Sequence, residues 1–240
     1  MQRLVQCTEG AEKEVDMSET NNVVALAEGL TADAFHQLLE LAIEGKGKMP
    51  GARSAARNLL NQHRDPEVAI TWLVNQHVAY ASGQGFVTNW GGFFVSLVTI
   101  PANMAAAAFL QARVVAGIAH LRGYDLSDAR VRTAILMVML GPGINAGLVS
   151  KGVLPSSPAA VATAPMFDAK LDRLVSKELF DRAMNQMGGK RLGVWAGKRI
   201  PFVGGGVGAV VDGWSTHSIA RHAIDEFTSR RPKLNAWTKD

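Results

Sequence analysis

Between Glu67 and Arg113 the chain carries no Asp, Glu, Lys or Arg. A surface loop, or a helix with one solvated face, breaks such a run with charge within a few residues. The stretch from Val68 to Ala112 therefore has to be covered by protein, by lipid, or by each in turn. Gly83, Gly85, Gly91 and Gly92 interrupt it, with Trp90, Phe93 and Phe94 among and after them, so the backbone can turn while the large apolar groups stay together. This is the composition of a glycine-rich apolar hairpin, re-entrant or inserted in a membrane surface.

The cover must come from the rest of a 240-residue chain in which 48% of residues are hydrophobic and only 19% charged, against about 25% in an average soluble protein. No Ser/Gly or charged linker divides it. The expected organisation is a mobile polar arm at 1–21, one helical domain over 22–231 and a tail at 232–240, with the Pro/Ala/Ser stretch Val153 to Pro165 as the best internal boundary. Cys7 is the single cysteine, which excludes a disulfide framework and a cysteine-based zinc site. The first twenty residues hold five acids, two bases and no apolar run, unlike a signal peptide, so a cytoplasmic location is expected. From Lys190 onward nine bases face four acids, and that end should prefer anionic surfaces.

Helical spacing recurs along the chain. Phe35, Leu38, Leu39 and Ile43 form one stripe between Thr31, a capping residue, and Gly45, a stop. Pro50 and Gly51 open a second helix through Leu59 and Leu60. Asp65-Pro66 reads as N-cap and first helical position of a third, through Ile70, Leu73, Val74 and His77. Ile100-Pro101 starts a long helix that runs to Gly123 with small residues at most turns. Ser127 is expected to cap a helix that Gly141-Pro142-Gly143 ends. A charged amphipathic helix follows from Asp168 to Met187, with Leu171, Leu174, Val175, Leu179, Phe180 and Met184 on one face. The closing helix, to about Arg230, carries a stripe of Val210, Trp214, His217, Ala220, Ile224 and Phe227. No period-two alternation stands out, so the fold class is all-α: a multi-helix bundle carrying the hairpin.

Motifs with chemistry are weak. Gly204-x-Gly206-x-x-Ala209, with Asp225 beyond it, satisfies a loose dinucleotide fingerprint but lacks the preceding strand. Gly204 and Gly208 read better as a close-packing GxxxG. Gly197-Lys198 and Gly189-Lys190 lack the other residues of a phosphate-binding P-loop. His222 with Glu226, and Arg221 with Asp225, stand four apart and read as surface ion pairs, since two ligands make no metal site. Ser215 has His217 two residues on, about 200° round the helix, which rules out a local nucleophile–base pair. No catalytic residue, metal ligand or cofactor is assigned.

More telling are polar groups inside apolar helices: Asn103, Arg113 and His120, with Gln111, His77, Asp212 and His217 in comparable settings. Each must pair with another, with backbone or with a ligand head group, because burying an unpaired polar group costs about 1–3 kcal/mol. Arg113 and Asp212 are the obvious mutual partners. With Trp90, Phe93 and Phe94 these residues form the candidate site for a lipid or apolar ligand. Lys190, Arg191, Lys198 and Arg199 bracket the apolar Leu192 to Gly197 and form a candidate contact with anionic head groups. Nucleic acid is the weaker partner for that basic stretch, which offers only Trp195 and Phe202 for stacking.

Two regions, GQGFVTNWGGFFVSLVTIPANMAAAAFLQARVVAGIAHLRGYDLSDARVRT and GGKRLGVWAGKRIPFVGGGVGAVVDGWSTHSIARHAIDEF, resemble the signature regions of the EcsC family, and IEGKGKMPGARSAA resembles its N-terminal part. The combination of PAN at 101–103, Gln111-x-Arg113, Gly123-Tyr124-Asp125 and IPFVGGGVG carries the resemblance, while Asn89 departs from the small residue expected at its position. The family is named for a bacterial protein encoded beside an ABC transporter. The resemblance implies bacterial origin, a helical fold and work at a membrane, with transporter components as conceivable partners and no catalytic residues to carry over. Three functions fit. The first is a non-enzymatic cytoplasmic protein, peripheral at the inner face of the cell membrane, that binds lipid or an apolar ligand. The second is an integral protein, since Gly91 to Leu110 is uncharged and reaches the ~20 residues a span requires. The third is a hydrolase acting on lipid or peptide.

Overall fold

The computed structural model of the chain describes residues 34–46, 49–82, 102–182 and 204–230, without the side chains of residues 46, 49, 102–105 and 204–212. Among the described residues the chain forms nine α-helices and one two-residue antiparallel ladder. Helix α1 spans 34–44. Strands β1 (Gly45–Lys46) and β2 (Met49–Pro50) pair with Gly45 opposite Pro50. Then come α2 (Ala52–His63), α3 (Pro66–Ser82), α4 (Ala102–Leu121), α5 (Ala129–Leu140), α6 (Pro142–Ser150) and α7 (Pro158–Ala162). The last two are α8 (169–182) and α9 (Gly204–Glu226). The fold class is all-α, as the sequence leads one to expect. The arm at 1–21, Thr31, Met184 and the tail at 232–240 lie outside the described residues.

Local chemistry sets most helix boundaries. The Asp65 carboxylate accepts from the amides of Glu67 and Val68 at 2.7 and 3.3 Å, which satisfies two first-turn donors of α3 while Pro66 needs none. Asp168 does the same for α8, accepting from Lys170 and Leu171 at 2.8 and 3.2 Å. For α5 the cap is Asp128, not Ser127: Asp128 accepts from the Arg130 amide at 2.9 Å, and the Ser127 amide is already committed to Asp125. Gly141, at φ +89°, ends α5, but the chain does not leave the helical state. Pro142 starts α6 at 105° to α5, so Gly-Pro-Gly is a corner rather than an end. At Gly51 a Cβ would lie 2.2 Å from the Ile43 carbonyl oxygen, so only glycine lets α2 start against the end of α1.

Two helices are buried on every side, and Arg113 is the one charged residue in their buried middles. In α4 every residue from Ala112 to Ala119 is buried, and in α5 every residue from Thr133 to Leu140. Helices α2, α3, α5 and α9 pack around α4, and α5 is covered in turn by α7 and α9. The Pro/Ala/Ser stretch is therefore not a bare connection: it holds α7, with Leu154, Pro158, Val161 and Ala162 buried against the core. Helix α8 is amphipathic as expected, with Leu171, Val175 and Leu179 inside.

The face of α9 differs from the expected stripe. Gly213, Thr216, Ile219, Ala220, Ala223 and Phe227 point inward, whereas Trp214 (72% exposed) and His217 face solvent. Small residues win the interior here because α9 lies close to α3: a Cβ on Gly213 would stand 2.3 Å from the Ser82 hydroxyl.

Among the described residues no single helix is long and apolar enough to cross a membrane. The pair α5 and α6 reaches that length and composition only across its 105° bend, and α5 is buried in protein. The described part of the uncharged stretch, Val68 to Ser82 and Ala102 to Ala112, is covered where it is buried by neighbouring helices of this chain.

Candidate functional site

Helices α3 and α4 run antiparallel, and two contacts fix their register. Near the start of α3 the Arg122 guanidinium grips Glu67 in a two-point ion pair at 2.8 and 2.9 Å. In the middle, Gly117 makes room for Leu73: an added Cβ would stand 2.6 Å from the leucine methyl. One turn further along each helix, the same register sets His77 opposite Arg113. Helix α9 runs parallel to α4, since Gln111 donates to the Ser215 hydroxyl at 3.3 Å and the Arg230 amide donates to the Arg122 carbonyl at 2.8 Å. The C-terminal end of α3 and the N-terminal ends of α4 and α9 therefore share one end of the bundle.

His77, Arg113 and Arg122 each hold a buried nitrogen without a hydrogen-bond partner in this seam, and in Arg122 the other guanidinium nitrogens meet Glu67. His77 is fully buried, and its Nδ1 lies 2.8 Å from the Leu73 carbonyl oxygen. A carbonyl can only accept, so Nδ1 carries the proton and Nε2 presents a bare lone pair, which meets no hydrogen-bond partner. Burial lowers the imidazole pKa to about 4, the Leu73 bond opposing and the Arg113 charge adding to the effect. Arg113 is 6% exposed; its Nε also lacks a partner, and no acid pairs with it among the described residues. Burial pulls its pKa below the usual value, with Tyr80 partly compensating. The Tyr80 ring stands edge-on to His77 at 6.0 Å and is 40% exposed, so the cluster runs from the core to the surface.

The remaining site residues fall differently. Trp90, Phe93, Phe94, Lys190, Arg191, Lys198 and Arg199 lie outside the described residues. Asn103 and Asp212 belong to α4 and α9, but their side chains are outside the description, so the expected Arg113–Asp212 pair is too. His120 is half-buried at the far end of α4, about 10 Å along the axis from Arg113. His217 points to solvent and does not join the buried groups, a correction that follows from the true inward face of α9.

His222 and Glu226 are not a surface pair. His222 is buried, burial lowers its pKa against the opposing pull of Glu226 and Asp225, and its Nε2 accepts from Asn145 at 3.1 Å. Glu226 reaches away to the Ala159 amide at 3.0 Å. Asn145 also donates to the Met137 carbonyl at 2.6 Å and is the one side chain α6 buries. None of these pairings is readable from spacing, because each joins helices far apart in sequence.

A second cluster the sequence did not single out joins α1, α5 and α8. His36 Nε2 lies 3.0 Å from Asp172 and 3.3 Å from the Ser176 hydroxyl, and Thr133 donates to Asp172 at 2.6 Å. Burial pushes the Asp172 carboxyl up, but the bonds from His36 and Thr133 outweigh it and leave the group below the ordinary carboxylate range. One imidazole nitrogen faces both the acid and the hydroxyl, whereas a nucleophile–base–acid relay needs one nitrogen for each. With Ser176 fully buried, the cluster ties helices together. Among the described residues no group of three His, Cys, Asp or Glu is placed to hold a metal ion. A cleft of about 180 Å³ opens beside Met166, Phe167 and Arg130.

Set against models of protein families, curated proteins and solved structures, the chain matches none of them.

Proposed function

We propose that this is a non-enzymatic helical protein that associates with lipid, peripheral at the inner face of a bacterial cell membrane, in keeping with its resemblance to the EcsC family. The bundle end shared by α3, α4 and α9 is the end that meets the bilayer. The observation that carries this reading is the direction of those three helices. Their register brings together both points where 83–101, uncharged and rich in aromatics and glycine, joins the described chain and the point where 183–203, basic and glycine-rich, enters α9. The opposite end is charged and capped, with Arg53–Glu44, Arg122–Glu67 and Arg130–Asp128 pairs around the connections there. A protein that presents one end to head groups and apolar chains and the other to water has this division. Transporter components at the same membrane are the partners this reading implies.

Liposome flotation of detergent-free protein tests it. Binding is expected to rise with the anionic lipid content of the vesicles and to fall with salt. It is expected to weaken when Lys190, Arg191, Lys198 and Arg199 are changed together to Gln. Equal flotation on neutral and anionic vesicles would remove the basic stretch from the reading, and no flotation on either would end it.

A further inference from the structure

We propose that the cleft beside Met166 and Phe167 is a self-association site, where two copies of this chain meet across a two-fold axis and each places its Met166 in the other's cleft. The start of α8 leaves these two side chains without cover. Asp168 caps α8 by accepting from the amides of Lys170 and Leu171. Phe167 therefore holds the position before an N-cap, from which an apolar side chain commonly folds onto the fourth helical residue. Here that residue is Asp172, whose carboxylate is held by Thr133 and His36. Phe167 has no apolar partner to staple and stays 45% exposed, and Met166 beside it is 79% exposed. The two end a run, 152–167, that holds no Asp, Glu, Lys or Arg.

Next to this projection lies a recess. The cleft has a volume of about 180 Å³ and is walled by Pro155, Val161, Ala164 and Leu171, with Thr133 and Arg130 on its polar side. A cavity of roughly 150 Å³ takes up benzene, so this one has room for a methionine or phenylalanine side chain. Charges of both signs surround it: Arg130 paired with Asp128, and Asp168 and Lys170 at the start of α8. An apolar centre inside a polar rim is the anatomy of a protein contact, whereas acyl chains would strip those charges of water.

A second copy fits both features at once. A foreign partner needs either a projection or a recess from this chain. A two-fold contact needs both on one patch, because whatever one copy inserts the other must receive. The rim suits the same symmetry, since its acids and bases stand side by side and a copy turned about the axis meets no uniform repelling field. This contact is independent of the lipid association proposed above.

Sedimentation of the detergent-free full chain, over concentrations up to about 100 μM so that weak interfaces register, tests it. The parent is expected to pass from monomer to dimer. Met166→Asp, at a position too exposed to carry the fold, should weaken dimerisation about tenfold or more with an unchanged melting temperature. Trp214→Asp, at the exposed bulky side chain of α9, should leave dimerisation as it is. Ala164→Leu fills the recess and should act like Met166→Asp. A Met166→Asp copy keeps its recess and an Ala164→Leu copy keeps its projection, so a mixture of the two should associate through one contact although neither does so alone. If Ala164→Leu does not fold, Ser156→Leu, also on the cleft wall, takes its place.

A parent that stays monomeric, a Met166→Asp protein that dimerises like the parent, or a mixture that stays monomeric overturns the proposal. Loss of dimerisation in Trp214→Asp does so too, since it would mark a general stickiness. A monomeric parent whose Met166→Asp variant no longer floats on anionic vesicles would give the patch to the bilayer. A parent that floats but never dimerises keeps the lipid reading and loses the self-contact, and one that dimerises without floating does the reverse.

Discussion

The two ends of the α3–α4 seam treat an arginine in opposite ways. Arg122 meets Glu67 in a two-point ion pair in which the carboxylate side chain is 59% exposed and the arginine side chain 13%, so water reaches the pair from the acid's side. Arg113, nine residues earlier in α4, is 6% exposed and stands opposite the His77 imidazole, with no acid paired to it among the described residues. The pair near water is geometrically better but energetically modest, because both charges are well solvated in the unfolded chain and lose little on separation. The buried group holds the larger stake, since its desolvation outweighs what Tyr80 returns. Well-made contacts near the surface thus say little about where this bundle has set stability aside, and the buried interior group says a good deal.

The largest expected effect probes the buried end through His77. Its native pKa of about 4 lies below the ordinary 6.5. Below pH 6.5 the unfolded chain therefore takes up a proton that the native state refuses. Stability from this group is complete above pH 6.5 and is lost as pH falls toward 4, by about 3 kcal/mol over the window. Denaturant unfolding at a series of pH values measures it, and the difference between the parent and His77→Leu isolates it from the carboxylates. Parallel pH profiles for the two proteins would mean that His77 is not held neutral.

A smaller effect is expected at the crossing between the two ends. Gly117→Leu drives a side chain into Leu73 and should cost about 2 kcal/mol. Leu73→Ala in the same molecule should recover part of that loss, a coupling that only residues in contact show. Thermal melts of the two single variants and the double variant read it, and strict additivity would separate the helices. The smallest effect belongs to the exposed end. Glu67→Gln should cost about 0.5 kcal/mol and less at high salt. A loss above 1 kcal/mol would show that this pair, and not only the buried arginine, carries weight in the seam.

What could be read from the sequence was what neighbouring residues decide. Asp65-Pro66, Asp168 and Gly45 announce helix boundaries because a cap, a proline and a positive φ act over three or four residues. Arg113 was recognisable as a polar group in an apolar helix for the same reason. The cap of α5 lies one residue beyond the expected Ser127, since Asp125, Ser127 and Asp128 all have capping chemistry and only the turn geometry chooses among them. The restart of the helix at Pro142 was not legible, because Gly-Pro-Gly can end a helix as readily as turn it. Helical spacing puts Trp214 and His217 in one stripe with Ala220 and Phe227, whereas the close approach of α3 selects Gly213 and Thr216 for the inner face. The partnering of His77 with the Arg113 helix, of Asn145 with His222 and of His36 with Asp172 joins residues far apart in the chain, where periodicity carries no information.

Helix α7 has five residues, too few to hold itself together in water. Its N-cap is Ser157, but the amide of Ala159 is satisfied by Glu226, a residue 67 positions later and the last of α9. On a ribosome adding about 5–20 residues per second, that acceptor is made roughly 3–13 s after the donor. Throughout that interval α7 lacks its outside ligand, and α5, which α7 and α9 both cover, keeps an apolar flank open to other nascent chains. The order of synthesis therefore leaves this bundle exposed at its middle until its final helix arrives, a period in which a chaperone would find a binding site that the finished fold removes.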